Sequence, residues 1–134
     1  MIGEPMTPKE RAELLAKSQY GRGGRVGKKE TPETALKRWS VNYLKWQGWD
    51  TEPLPAGPYG TSGMPDRMAW KGGKVIFLEF KIKPRKLSDV QVVMKDRMER
   101  QGLTYFVIYT PEEMRAALAS LEGGESQPRL GELL

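Results

Sequence analysis

Asp66, Glu79 and Lys81 are the residues whose spacing brings reactive groups closest together in this chain. Asp66 follows Met64-Pro65, and twelve residues separate it from Glu79. Between them, Lys71-Gly72-Gly73-Lys74 reads as a hairpin with a two-residue loop. That loop fixes a register in which Lys71 faces Lys74, Trp70 faces Val75 and Met68 faces Phe77. Two steps further, Asp66 faces Glu79. Directly opposed residues have side-chain bases roughly 5 Å apart. Carboxylates that close repel one another unless a positive charge lies between them, and a divalent metal ion is the usual resolution. Lys81 projects from the same strand face as Glu79. Two acids and a lysine are therefore expected to converge on one spot.

Composition narrows the chemistry further. The chain has 134 residues, no cysteine and no histidine. Disulfides, thiolate and imidazole metal sites, and histidine general bases are all excluded. Carboxylates, lysine, hydroxyls and bound ions remain. The net charge of +5 fits an anionic partner, although ordinary surface lysines would give the same balance. The length suits one domain. No stretch is apolar enough to span a membrane and no signal peptide is visible, so a cytoplasmic protein without a membrane partner is expected.

The elements that must position these residues can be read in order. Thr7-Pro8-Lys9-Glu10 is a capping box that opens a short helix to about Gln19. A glycine-rich basic segment, Gly21 to Lys29, follows. It reads either as a linker or as an arm lying along phosphates. Thr31-Pro32 opens a second helix that Gly48 would stop. Leu36, Trp39, Tyr43 and Trp46 recur at helical spacing and are expected to form its buried stripe, with Glu33 on the same side. A short strand is expected near Trp49–Leu54, then the hairpin. In its second strand Ile76, Leu78, Phe80 and Ile82 face one way. Val75, Phe77, Glu79 and Lys81 face the other, as in a covered central strand whose charges emerge at one end. Ser88 and Gln91 form a second capping box, with Leu87 able to staple to Val92; that helix runs to about Gln101. A strand over Tyr105–Tyr109 and a last helix from Pro111 complete a mixed α/β sheet flanked by helices.

These residues resemble the PD-(D/E)xK nuclease superfamily, with the motif standing as Pro65-Asp66 and Glu79-Phe80-Lys81. More narrowly, the chain resembles the virus-type replication-repair nuclease family, VRR-NUC. The parts that carry the likeness run in order from Glu33 to Tyr109. They are Glu33 opening a helix that ends at Gly48, Gly63-Met64-Pro65-Asp66, Glu79-Phe80-Lys81, Leu87-Ser88-Asp89-Val90-Gln91, and Gly102. Glu30 rivals Glu33 but precedes the cap. The resemblance implies a restriction-endonuclease-like core of order αβββαβ over residues 30–122. An N-terminal helix and basic arm would occupy 1–29, the C-terminal helix would close the core, and a frayed tail would fill 123–134. It implies Mg²⁺ or Mn²⁺ on Asp66, Glu79 and the Phe80 carbonyl, with Glu33 holding a metal or its water. Lys81 would orient or deprotonate the attacking water. Gln91 would steady it, serve only as a cap, or do both.

Arg22, Arg25, Lys28 and Lys29, then Lys83, Arg85, Lys86 and Lys95, could rim a cleft for a nucleic-acid backbone. The family likeness implies a homodimer that cuts branched DNA such as four-way (Holliday) junctions, with Trp46, Trp49, Leu54 or the last helix as interface candidates. The alternatives are a single-site nuclease for flaps, ends or nicked duplex, and a non-catalytic DNA-binding protein.

Overall fold

The structure, a computed structural model, describes residues 5–17, 29–55 and 60–122. Thr7 and Glu10 form a capping box, each donating its backbone N–H to the other's side-chain oxygen, and open α1 (Pro8–Lys17). The expected continuation to Gln19, the basic segment up to Lys28 and the tail from Gly123 lie outside the described residues.

The helix α2 (Pro32–Trp46) begins where Thr31 caps the Thr34 N–H and Pro32 fills the first turn. It ends at Gly48 (φ +89°), where the Trp49 N–H folds back on the Leu44 carbonyl. Three antiparallel strands follow or precede the hairpin turn: β1 (Asp50–Pro53), β2 (Arg67–Lys71) and β3 (Lys74–Phe80). Ser88 and Gln91 close the capping box of α3 (Asp89–Arg100). β4 (Thr104–Ile108) then pairs parallel to β3, and α4 (Pro111–Glu122) ends the described chain. The sheet order β1-β2-β3-β4 leaves β3 flanked on both sides. The αβββαβ order with a helix added at each end is as expected.

β3 alternates between two cores. Ile76, Leu78 and Phe80 pack with Leu36 and Leu44 of α2 and with Met114 and Leu118 of α4. Phe77, on the opposite face, packs with Met94 and Met98 of α3, Tyr105 of β4 and Met64. Two helices thus cover one face of the sheet and α3 covers the other.

Three expectations are corrected. The buried stripe of α2 is Leu36, Ser40 and Leu44, not the aromatic row. Trp46 is 81% exposed, and Trp39 and Tyr43 are half-buried, stacked on each other at 5.0 Å with the Arg115 guanidinium over Trp39. The two rows lie side by side on the helix, and the sheet and α4 take the aliphatic one. Trp49 is 4% exposed and belongs to the core, so it offers no interface. Val92, expected to staple to Leu87, is instead 51% exposed.

Candidate active site

The hairpin sets the site. Gly72 and Gly73 both have positive φ, +56° and +81°, which a two-residue turn between twisted strands requires. The register runs Lys71↔Lys74, Trp70↔Val75, Met68↔Phe77 and Arg67↔Leu78. Asp66 is the next residue, one step past the last pair, on the line that leads to Glu79. There it is pinned twice. Its carbonyl accepts the Leu54 N–H at 2.9 Å, and its Oδ2 accepts the Phe80 N–H at 2.9 Å. One carboxylate oxygen of Asp66 is therefore committed to the strand that carries Glu79, and Oδ1 is left for other partners.

Glu79 is only 3% exposed. Its Oε2 lies 3.3 Å from the Lys81 Nζ, while its Oε1 is buried with no hydrogen-bond partner. Burial first, and then the Asp66 charge, push the Glu79 carboxyl above its ordinary range. The Lys81 ammonium and the Gln91 amide pull the other way. The folded protein consequently binds this proton more tightly than the unfolded chain. That contribution favours the fold fully below the unfolded carboxyl value and is lost as pH rises through the raised folded value. In the metal-free state, the thermal midpoint of Glu79→Gln should therefore gain on wild type as pH rises from about 4 to about 7. Calorimetric midpoints that keep a constant offset would contradict this.

Gln91 is a genuine cap: its Oε1 accepts the Ser88 N–H at 2.9 Å and its own N–H donates to the Ser88 Oγ at 3.3 Å. The amide also bears on Glu79, so capping does not remove it from the site. Two neighbours escaped the sequence reading. Tyr105 stands opposite Phe77 on β4 and so shares the Glu79 face. Its buried hydroxyl has no partner, and burial followed by the Glu79 and Asp66 charges keeps it protonated. The second neighbour is Lys37. Its Nζ lies 3.5 Å from the Asp66 Oδ1 and 3.9 Å from the Glu33 Oε2. Glu33 thus reaches Asp66 through an ammonium group. Among the described residues no three carboxylates stand ready-gathered around a metal position.

The sequence offered weak signals for both. Lys37 is one helical turn after Glu33, and Tyr105 sits in an apolar run whose parallel register no turn announces.

The basic residues divide. Lys83, Arg85 and Lys86 are exposed beyond the end of β3, and Lys29 is exposed ahead of α2. Lys83, Arg85, Pro32 and Glu33 line a cleft of about 350 Å³. Lys95 is held by Glu99 at 3.0 Å and lies over the Tyr105 ring. Arg22, Arg25 and Lys28 lie outside the described residues. Glu30, the rival acid, is engaged by Arg38 at 2.8 Å.

The α2, hairpin, α3, β4 frame with acids at the mouth of the central strand defines a restriction-endonuclease-like nuclease fold. It is the fold of a solved VRR_NUC domain, which superposes with a TM-score of 0.61 at 21% identity over 71% of this chain and 99% of that one. Hjc, a Holliday junction resolvase from Archaeoglobus fulgidus, is a more remote likeness, with a TM-score of 0.44 at 19% identity over 55% of this chain and 64% of that one. At the level of sequence, comparison with family models and with curated proteins gives no match. No helix among the described residues is long and apolar enough to cross a membrane.

Proposed function

We propose that this chain is a divalent-metal-dependent endonuclease that hydrolyses phosphodiester bonds in DNA, with branched or four-way-junction DNA as its preferred substrate. The observation that carries the reading is the Glu79 carboxylate. It is buried beside the Asp66 carboxylate, its Oε1 lacks any partner, and its Oε2 faces Lys81. A buried carboxylate oxygen without a donor is unfavourable, and a hard divalent cation satisfies it. The donor set therefore fits Mg²⁺ or Mn²⁺. Asp66, Glu79 and the Phe80 carbonyl would hold the ion, with Glu33 at its margin. When bound, the ion would acidify water and offset phosphate charge.

The chain's own residues supply the rest. Lys81 sits against Glu79 with most of its side chain covered, so its ammonium is held in place to orient the attacking water and to meet charge building on the phosphate. The Gln91 side chain, fixed by its cap, favours the charged form of Glu79 from the α3 side. Lys29, Lys83, Arg85 and Lys86 would follow the DNA backbone, and among the described residues no element offers a reader of base edges. The likeness of the overall fold to a solved VRR_NUC domain supports a nuclease reading. A homodimer would place two such sites about a two-fold axis, as paired nicking of a junction needs. The exposed Trp46 is the contact we assign to it.

The test is to incubate the protein with labelled four-way junction, flap and linear DNA, each with Mn²⁺ and with EDTA. Cleavage of the junction in Mn²⁺ and none in EDTA is expected. Equal cleavage in EDTA, or binding without turnover on every substrate, would overturn the enzyme reading. Turnover only on flaps by a species that elutes as a monomer would favour a single-site nuclease. The stacked Trp39 and Tyr43 beside the bare Trp46 suit that alternative, since unpaired bases stack on such rings.

A further inference from the structure

Among the described residues two lysines face the acids of the site, and of these Lys81 belongs to the strand motif. Lys37 rises from the first turns of α2, four residues after Glu33. Its ammonium lies 3.5 Å from the Asp66 Oδ1, the oxygen that the Phe80 N–H leaves free, and 3.9 Å from the Glu33 Oε2. Two ammonium groups thus serve three acids: Lys81 faces Glu79, and Lys37 is shared by Asp66 and Glu33. The oxygens Lys37 touches are those that a divalent ion would need.

We propose that Lys37 is a positioning residue that stands in for the divalent ion: it holds Asp66 and Glu33 together in the metal-free protein and is displaced when the ion binds. This rests on the metal-dependent reading of the site above. The physical logic is competition. Without a cation, Asp66, Glu33 and the nearby Glu79 would repel each other and splay. A tethered ammonium prevents this at no translational entropy, but it must be released before a smaller, doubly charged ion can take the same oxygens. Its four-carbon stem allows such release without moving the backbone. The pairs are partly exposed, so each is weak and the exchange is cheap in free energy. Freed, the ammonium would remain at the start of α2, beside the cleft lined by Glu33, Lys83 and Arg85.

The experiment is calorimetric Mn²⁺ titration of wild type and Lys37→Met, which keeps the stem and removes the charge. Lys37→Gln serves as a second variant. Both variants should bind Mn²⁺ about three- to tenfold more tightly than wild type, because no ammonium competes. Their metal-free thermal midpoints should fall, and saturating Mn²⁺ should restore them. In wild type, acetylation of the Lys37 amine, read by peptide mass spectrometry, should rise when Mn²⁺ is added. Unchanged or weaker Mn²⁺ binding in both variants, or Lys37 acetylation indifferent to Mn²⁺, would overturn the inference. Should wild type itself take up no Mn²⁺ or Mg²⁺, the metal-dependent reading fails instead, and the two failures are told apart by that single titration.

Discussion

Asp66→Asn is expected to lower Mn²⁺-dependent cleavage about a thousandfold or more while leaving the protein folded. Asparagine is chosen because its side-chain oxygen can still accept the Phe80 N–H, as the Asp66 Oδ2 does at 2.9 Å. The local backbone then keeps its partner, and what is lost is the charge on Oδ1. Lys81→Met should cost as much activity by a different route. It leaves Glu79 buried without its cation, and such a carboxylate answers by holding a proton rather than by unfolding the chain. The variant should therefore fold, bind Mn²⁺ more weakly at neutral pH, and recover part of that binding as pH rises. Single-turnover cleavage, circular dichroism and calorimetry on both variants would check these outcomes together. Wild-type rates in either variant would remove the site from the chemistry.

The second large effect is structural. Gly63→Ala should destabilise the protein by about 3 kcal/mol and loosen the segment that carries Pro65 and Asp66. Gly63 has φ +86°, and a Cβ there would lie 2.5 Å from the Val90 carbonyl oxygen in the first turn of α3. Neither the turn nor the helix backbone can yield cheaply. Gly73→Ala provides the control. Its φ is similar, +81°, but a Cβ would meet open space. It should cost about 1 kcal/mol, from backbone strain alone. Urea denaturation of the pair isolates the contact of the Asp66 loop with α3. Equal losses in the two variants would show that this contact is not close.

How much of this was legible depended on what the sequence encodes locally. The Gly72-Gly73 turn states its own register, so the approach of Asp66 to Glu79 and the split of β3 into Phe77–Glu79 and Ile76–Leu78–Phe80 faces could be derived without coordinates. Capping boxes at Thr7 and Ser88 are likewise short-range, and both form. What failed needs tertiary information. α2 offers two adjacent rows, Leu36–Ser40–Leu44 and Trp39–Tyr43–Trp46, and both have helical spacing. Only the packing of α4 and the sheet decides between them. Lys37 could be placed only once the angle of α2 over Asp66 was known. Tyr105 needed the parallel register of β4 against β3, which a helical crossover leaves unspecified in sequence. The arm residues Arg22, Arg25 and Lys28 stay an expectation.

The alternation along β3 constrains how such a gene can change length. Aliphatic filling and reactive groups occupy even and odd places of one short ribbon, with Leu78 on the face under α2 and α4 and Glu79 on the opposite face, where it too is buried. Adding or deleting a single codon between the bend and Glu79 would swap these parities at one stroke, sending the acid into the aliphatic layer and a leucine into the cleft. Length variation in this stretch should therefore survive only in steps of two residues.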